Sequence, residues 1–166
     1  MDDFYVECLV AKKPVPFETL IKGLAWGVAA LCFLLGVINI IFMIPFILIV
    51  IANYFLLPKI SVEYEYLYVS RSLQIDRIFS KQNRKKAIEY DLEQMEIFAE
   101  EGAWQLDEYK NMQTVNRDFT SGLPDRDIWI LIVHNGQQMD RVRLEPNAEL
   151  IQAMKSVYPR KTFAKT

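Results

Sequence analysis

Five cationic residues fall within ten positions, Arg77, Lys81, Arg84, Lys85 and Lys86, and connect two stretches of alternating apolar residues. A basic connection of this kind can hold anionic headgroups or a protein partner, and each charge held near a bilayer surface is worth about 1 kcal/mol. Lys59, directly after a long charge-free run, would add to such a site. A solvated loop that keeps strands from aggregating and balances nearby acids accounts for the same residues. Arg160, Lys161 and Lys165 make a second, weaker basic group near the C-terminus.

The other reactive residue types do not converge. His134 is the single histidine and ends an apolar strand beside a turn, where it reads as a hairpin residue rather than a base. One histidine excludes a multi-histidine metal site. Cys8 and Cys32 are too few and too differently placed for a disulfide framework. Glu63/Glu65 and Glu100/Glu101 read as solvated acids on alternating strand positions or in loops. Asp107, Glu108, Asp118, Asp125 and Asp127 do not match the spacing of a calcium loop. There is no nucleophile motif and no glycine-rich phosphate loop. No catalytic residue, metal or cofactor is therefore expected. From Lys59 onward 16 basic residues face 17 acidic ones, which is not the basic excess of a nucleic-acid binder.

These residues sit on a chain of 166 residues that is 52% hydrophobic and 24% charged. The two classes are segregated. Residues 23–58 carry no charge, and the other 130 carry all 40. As one straight helix the run would span roughly 54 Å at ~1.5 Å per residue, against a hydrocarbon core of about 30 Å. Two crossings fit better: one helix over about residues 20–36, a turn at Gly36-Val37-Ile38-Asn39, and a second helix over about 40–57. Pro45 falls near the start of the second helix and Pro58 closes it. A single tilted helix with an interfacial piece is the competing arrangement. A signal peptide would be shorter and end in a cleavage site.

Lys12, Lys13 and Lys22 precede the run, Lys59 and Arg71 follow it, and the turn is uncharged. The positive-inside rule then places both termini in the cytoplasm of a multi-pass protein of the cell membrane. Gly23 and Gly27 stand four apart in the first helix, a spacing that permits close helix approach. Packing on the second helix explains it, and a homo-oligomer face is open.

After Pro58 the period becomes two. Val62, Tyr64, Tyr66 and Tyr68 share a face with Glu63 and Glu65 opposite. Leu73, Ile75 and Phe79 continue after a turn at Ser70-Arg71-Ser72, and residues 88–92 and 95–97 follow as short strands. Residues 100–126 are broken by Gly102, Gly122 and Pro124, with one candidate strand at 113–119. Residues 128–133 form a continuous apolar strand. Asn135-Gly136 is the preferred pair for a tight hairpin, and 138–144 returns. Asn147 can cap a final helix whose stripe is Leu150, Ile151, Met154, Val157 and Tyr158, stopped by Pro159. Residues 4–10 could form a short strand that joins the sheet edge or packs on the membrane surface.

About seven strands in antiparallel order and one terminal amphipathic helix suggest a pleckstrin-homology-like barrel. Residues 61–158 resemble the bacterial PH-like domains that follow a two-helix membrane hairpin, in Tyr64 to Phe79 and in Asp91-Leu92 before Met95 and Ile97. The whole chain is similar to an uncharacterised family of small Gram-positive membrane proteins, through Met1-Asp2-Asp3-Phe4-Tyr5-Val6-Glu7, Val62-Glu63-Tyr64-Glu65-Tyr66 and Pro159-Arg160-Lys161-Thr162-Phe163. The resemblance implies an α+β membrane protein, with an N-terminal two-helix transmembrane hairpin followed by a PH-like antiparallel β-barrel with a C-terminal capping helix. It implies no activity. The parts are a cytoplasmic N-terminal segment at 1–19, the hairpin at 20–58 and the cytoplasmic domain at 59–166. The expected function is non-enzymatic: an integral membrane protein presenting the PH-like module to a protein partner, or weakly to anionic lipid. An accessory subunit of a transporter or membrane enzyme complex is the alternative. The expected partners are the bilayer, a protein and another copy of the chain, with no nucleic acid.

Overall fold

The computed structural model describes residues 5–13, 17–57, 61–80 and 83–165. The chain divides into two units, one of residues 14–62 and 79–83 and one holding the rest.

The first unit is helical. Helix α1 (Glu18–Ile38) leads through a short 3-10 turn (Ile40–Phe42) into α2 (Met43–Leu56). The chain breaks at Asn39, whose backbone is extended and whose side-chain oxygen accepts the Ile41 amide at 3.1 Å. Gly36 stays helical, so the break comes later than the Gly36 end of the expected turn. A methyl at Gly36 would lie 2.7 Å from the Met43 sulfur and 3.4 Å from the Met43 nitrogen; the bare backbone is what lets α2 begin there. The helices meet through Phe33 and Phe46, with ring centroids 5.4 Å apart, and through Asn53, whose amide donates to the Ala25 carbonyl at 3.1 Å. Pro45 lies in the first turn of α2, where the missing N–H has no intrahelical partner to lose. Of the described helices only α1 is long and apolar enough to cross a membrane; residues 40–56 form a shorter apolar helix.

The second unit carries nine described strands. One sheet has the order β1 (Tyr5–Ala11), β2 (Val62–Val69), β3 (Ser72–Phe79), β4 (Asn83–Asp91). The other involves β5 (Met95–Glu100), β6 (Thr114–Asp118), β7 (Trp129–Asn135), β8 (Gln138–Leu144) and β9 (Thr162–Phe163), in the order β6-β8-β7-β5-β9. The N-terminal segment is the edge strand β1, antiparallel to β2 with Cys8 opposite Tyr66, and it turns Val6, Cys8 and Val10 inward.

Three expectations are corrected. The described strands form two separate sheets, not one closed barrel. The order is not wholly antiparallel, because β6 runs parallel to β8 and β9 parallel to β5. Alternation in a sequence reports which face a residue takes, not which strand lies beside it. At the β7–β8 hairpin Asn135 pairs with Gln138, so the loop is Gly136-Gln137, one residue later than the Asn-Gly pair suggested. Gly136 has a φ of 66°, which suits a glycine at the first central position.

The core is centred on β7, buried on both faces, which explains its unbroken apolar run. Ile130 and Ile132 pack with Ile97, Ala99 and Leu106, the last from a 3-10 helix (Trp104–Tyr109) inside the stretch that sequence alone left unassigned. Leu131 and Val133 are equally buried, and Trp129 lies against Phe98 with centroids 4.8 Å apart. Helix α3 (Ala148–Val157) is capped by Asn147, which accepts the Leu150 amide at 2.9 Å. It buries Leu150, Ala153 and Met154, a narrower stripe than expected.

Candidate functional site

Strand β4, Asn83-Arg84-Lys85-Lys86-Ala87-Ile88-Glu89-Tyr90-Asp91, ends the first sheet, so no described strand covers its outer side. Its side chains from Asn83 to Ala87 are exposed, as are Glu89 and Asp91, and only Tyr90 is buried. Alternation sends Arg84 and Lys86 to one face and Lys85 to the other, so the three cations do not make one patch.

Ion pairing divides them further. Arg84 Nη2 lies 2.7 Å from both oxygens of Glu65. Lys86 pairs with Glu89, whose carboxylate also accepts the Ser72 hydroxyl at 2.6 Å. Lys85 has no ion-pair partner among the described residues. Arg77, on β3, has its guanidinium 5.8 Å from the centre of the Phe119 ring. Lys59 and Lys81, assigned to the same basic group, lie outside the described residues. Gly23 and Gly27 are exposed, and a methyl at either would meet nothing within 4 Å. They do not form the α1–α2 contact expected of them.

The acids are where sequence reading fell short. Glu65 is 5% exposed, not a solvated residue on the outer face. Burial pushes its carboxyl above the usual range; Arg84 pulls it down, while Glu7 and Asp76 add to the rise. Asp76 is also buried and accepts the Gln74 amide at 2.9 Å.

Asp140 is 0% exposed. Its Oδ2 accepts the Tyr90 hydroxyl at 2.9 Å, Arg117 Nε at 2.7 Å and the Asn135 amide at 3.2 Å. These bonds tie β4 of one sheet to β6, β7 and β8 of the other. Burial, with the carboxylate as acceptor, pushes the Tyr90 phenol far up, and bonding to Asp140 raises Arg117. Only the inward alternation of Asp140 with Val142 and Leu144 hinted at this clamp. Tyr66 makes a comparable tie, donating to the Phe119 carbonyl at 2.7 Å and accepting the Glu145 amide at 3.3 Å.

His134 is the penultimate residue of β7 and stands 3.2 Å from exposed Glu96. Among the described residues no three His, Cys, Asp or Glu side chains group to hold a metal. Ser70 and Arg71 turn β2 into β3 with φ of 56° and 142°, and their turn borders an open depression of about 440 Å³ with Glu89 and Asp91. What this unit offers chemically is a charged sheet edge and buried polar ties.

A family model described as a bacterial PH-like domain (DUF6106) matches residues 2–164. No curated protein matches the chain, and no solved structure does.

Proposed function

The chain belongs to the bacterial PH-like domain family DUF6106, and on that basis we propose that it is a non-enzymatic integral membrane protein whose PH-like module makes protein contacts through the outer side of β4. PH-like domains serve in interaction or lipid contact and are generally not catalytic. The observation that carries the reading is the exposed, charged edge of β4, whose outer side no described strand covers.

Membrane anchoring is supported by α1. Only 11% of its most apolar 18-residue window is buried, whereas a soluble core helix would be mostly enclosed. In this reading α2 crosses as well, and the lysines before the run with Arg71 after it keep both termini in the cytoplasm. Two helices joined by an uncharged turn and held by the Asn53–Ala25 bond are the economical way to hide both apolar surfaces in lipid. Anchoring raises the module's effective concentration at the membrane without any new contact.

Protein contact is favoured over headgroup binding because Arg84 and Lys86 already hold Glu65 and Glu89. Lys85 alone among the β4 cations is left for a lipid phosphate, and one such charge brings about 1 kcal/mol.

Photo-crosslinking in native membranes tests this. A benzophenone residue at position 86 should give a discrete protein adduct that disappears when Lys85→Glu is added. The same probe at Glu108, exposed in the 3-10 helix, should give none. Adducts to lipid alone would replace protein contact by headgroup contact, and no adduct at position 86 would end the role of β4.

A further inference from the structure

The charges along β4 change sign at its middle. The first half carries Arg84, Lys85 and Lys86, and the second carries Glu89 and Asp91. The midpoint of the nine residues is Ala87, small and exposed. A strand with this pattern is complementary to its own reverse.

Symmetry limits how two copies could meet. Two antiparallel edge strands of one continuous sheet are related by a two-fold axis perpendicular to the sheet, and such an interface is self-complementary. That operation keeps each residue on its own face. Odd positions therefore pair only with odd, and even only with even. Centring the axis on Lys86 sets that lysine against its own copy, which is unfavourable. Centring it on Ile88 carries Arg84 past the end of β4 to Leu92, which belongs to the next turn. Centring it on Ala87 overlaps the whole of β4. Lys85 then faces Glu89 of the other copy twice, Asn83 faces Asp91 twice, and Ala87 meets Ala87 on the axis. The inward-facing positions pair Lys86 with Ile88 and Arg84 with Tyr90.

We propose that the outer edge of β4 pairs with β4 of a second copy of this chain, antiparallel about Ala87, making one eight-stranded sheet across the two molecules. The inference rests on the reading of β4 as the contact surface and names its occupant. It gives Lys85, which has no ion-pair partner among the described residues, an acid to share with Lys86 and the Ser72 hydroxyl. Main-chain hydrogen bonds along the edge supply attraction, the Lys85–Glu89 pairs select the register, and confinement of both copies to one bilayer raises their effective concentration. Lysines and glutamates on an edge commonly discourage strand addition; here their order rejects registers centred on a like charge, and overlap of the whole strand selects the one centred on Ala87.

The experiment uses full-length chains carrying two different tags, reconstituted together in neutral-lipid vesicles and read by energy transfer between labelled copies. The wild type should associate. Lys85→Glu alone brings two carboxylates face to face at both outer pairs, and Glu89→Lys alone brings two ammonium groups face to face there. Each variant should self-associate about tenfold more weakly, the effect expected of two exposed pairs turned from attractive to repulsive. In a pair of unlike chains the carboxylate introduced at position 85 of one faces the ammonium introduced at position 89 of the other, and the unchanged Glu89 of the first faces the unchanged Lys85 of the second, so both outer pairs are again attractive. Association in the mixture should therefore exceed that of either variant alone. The mixture cannot be rescued by stability within either chain, because each chain keeps its own substitution. Association that ignores both substitutions, or a mixture that fails to recover, overturns the pairing. If it is overturned while the position-86 probe still captures a different protein, the contact surface stands with another occupant; if that probe also captures nothing, both readings fall.

Discussion

Isoleucine behaves in opposite ways in the two units. In the β unit Ile132 is 0% exposed, enclosed by Ile97, Ala99 and Leu106. In the helical unit Ile38 is 84% exposed, as are most of the large apolar residues around it to a lesser degree. The same side chain cannot be stable in both settings in one solvent, since leaving such a residue in water forfeits roughly 2 kcal/mol. The β unit encloses its own apolar side chains and the helical unit leaves most of its own exposed, so burial within the chain measures stability for the first and not for the second.

Truncation tests that contrast most strongly. Ile132→Ala should lower the stability of the β unit by roughly 4 kcal/mol, measured by denaturant unfolding in neutral detergent with Trp129 fluorescence as the probe. Ile47→Ala, on exposed α2, should cost less than about 1 kcal/mol in the same assay. Equal losses would remove the distinction.

Polar ties come next. Asp140→Ala leaves Tyr90, Arg117 and Asn135 without their shared acceptor and should cost about 3 kcal/mol, less than for a fully enclosed pair because Arg117 can turn to solvent. Asn53→Ala, which removes the bond between α1 and α2, should cost only about 0.6 kcal/mol, the typical worth of such a bond within a membrane. A larger loss for Asn53 than for Asp140 would reverse the ranking.

Titration separates two carboxylates inside the β unit. Burial raises Glu65 above its ordinary 4.5 despite Arg84, so its contribution to stability is full below that value and is lost as pH rises through the folded pKa. Burial also pushes Asp118 upward, but the Thr120 hydroxyl and amide together with Arg143 outweigh it and hold the group below 3.8. Its contribution is therefore present above 3.8 and lost as pH falls. Relative to the wild type, Glu65→Gln should gain stability from pH 4.5 toward neutrality, while Asp118→Asn should lose it as pH rises through the acid range to 3.8 and beyond. Thermal melts across pH read both slopes, and slopes of the same sign would refute the assignment. The smallest effect belongs to the exposed Lys110–Asp107 pair, 2.7 Å apart. Asp107→Asn should change stability by less than about 0.5 kcal/mol.

Some of the fold was legible because single residues dictate it. The charge-free run, the stop at Asn39, the turn after Val69, the Asn147 cap and the inward alternation of β2 all follow from local chemistry. The parallel pairing of β6 with β8 was not legible, because an irregular stretch and the whole of β7 lie between them in the chain. The charged residues of β4 were plain in the sequence, but not which of them were already held. Glu65 looks solvated next to Glu63, and only Arg84, nineteen positions later, shows otherwise.

Charge and periodicity act residue by residue, so the order of amino acids was enough to set one stretch of this protein apart as charge-free apolar helices and most of the remainder as alternating strands. Which strands are neighbours, which acids are enclosed and which β4 cations hold an acid were settled only in the folded molecule, because those outcomes depend on groups far apart along the chain being brought within hydrogen-bond reach.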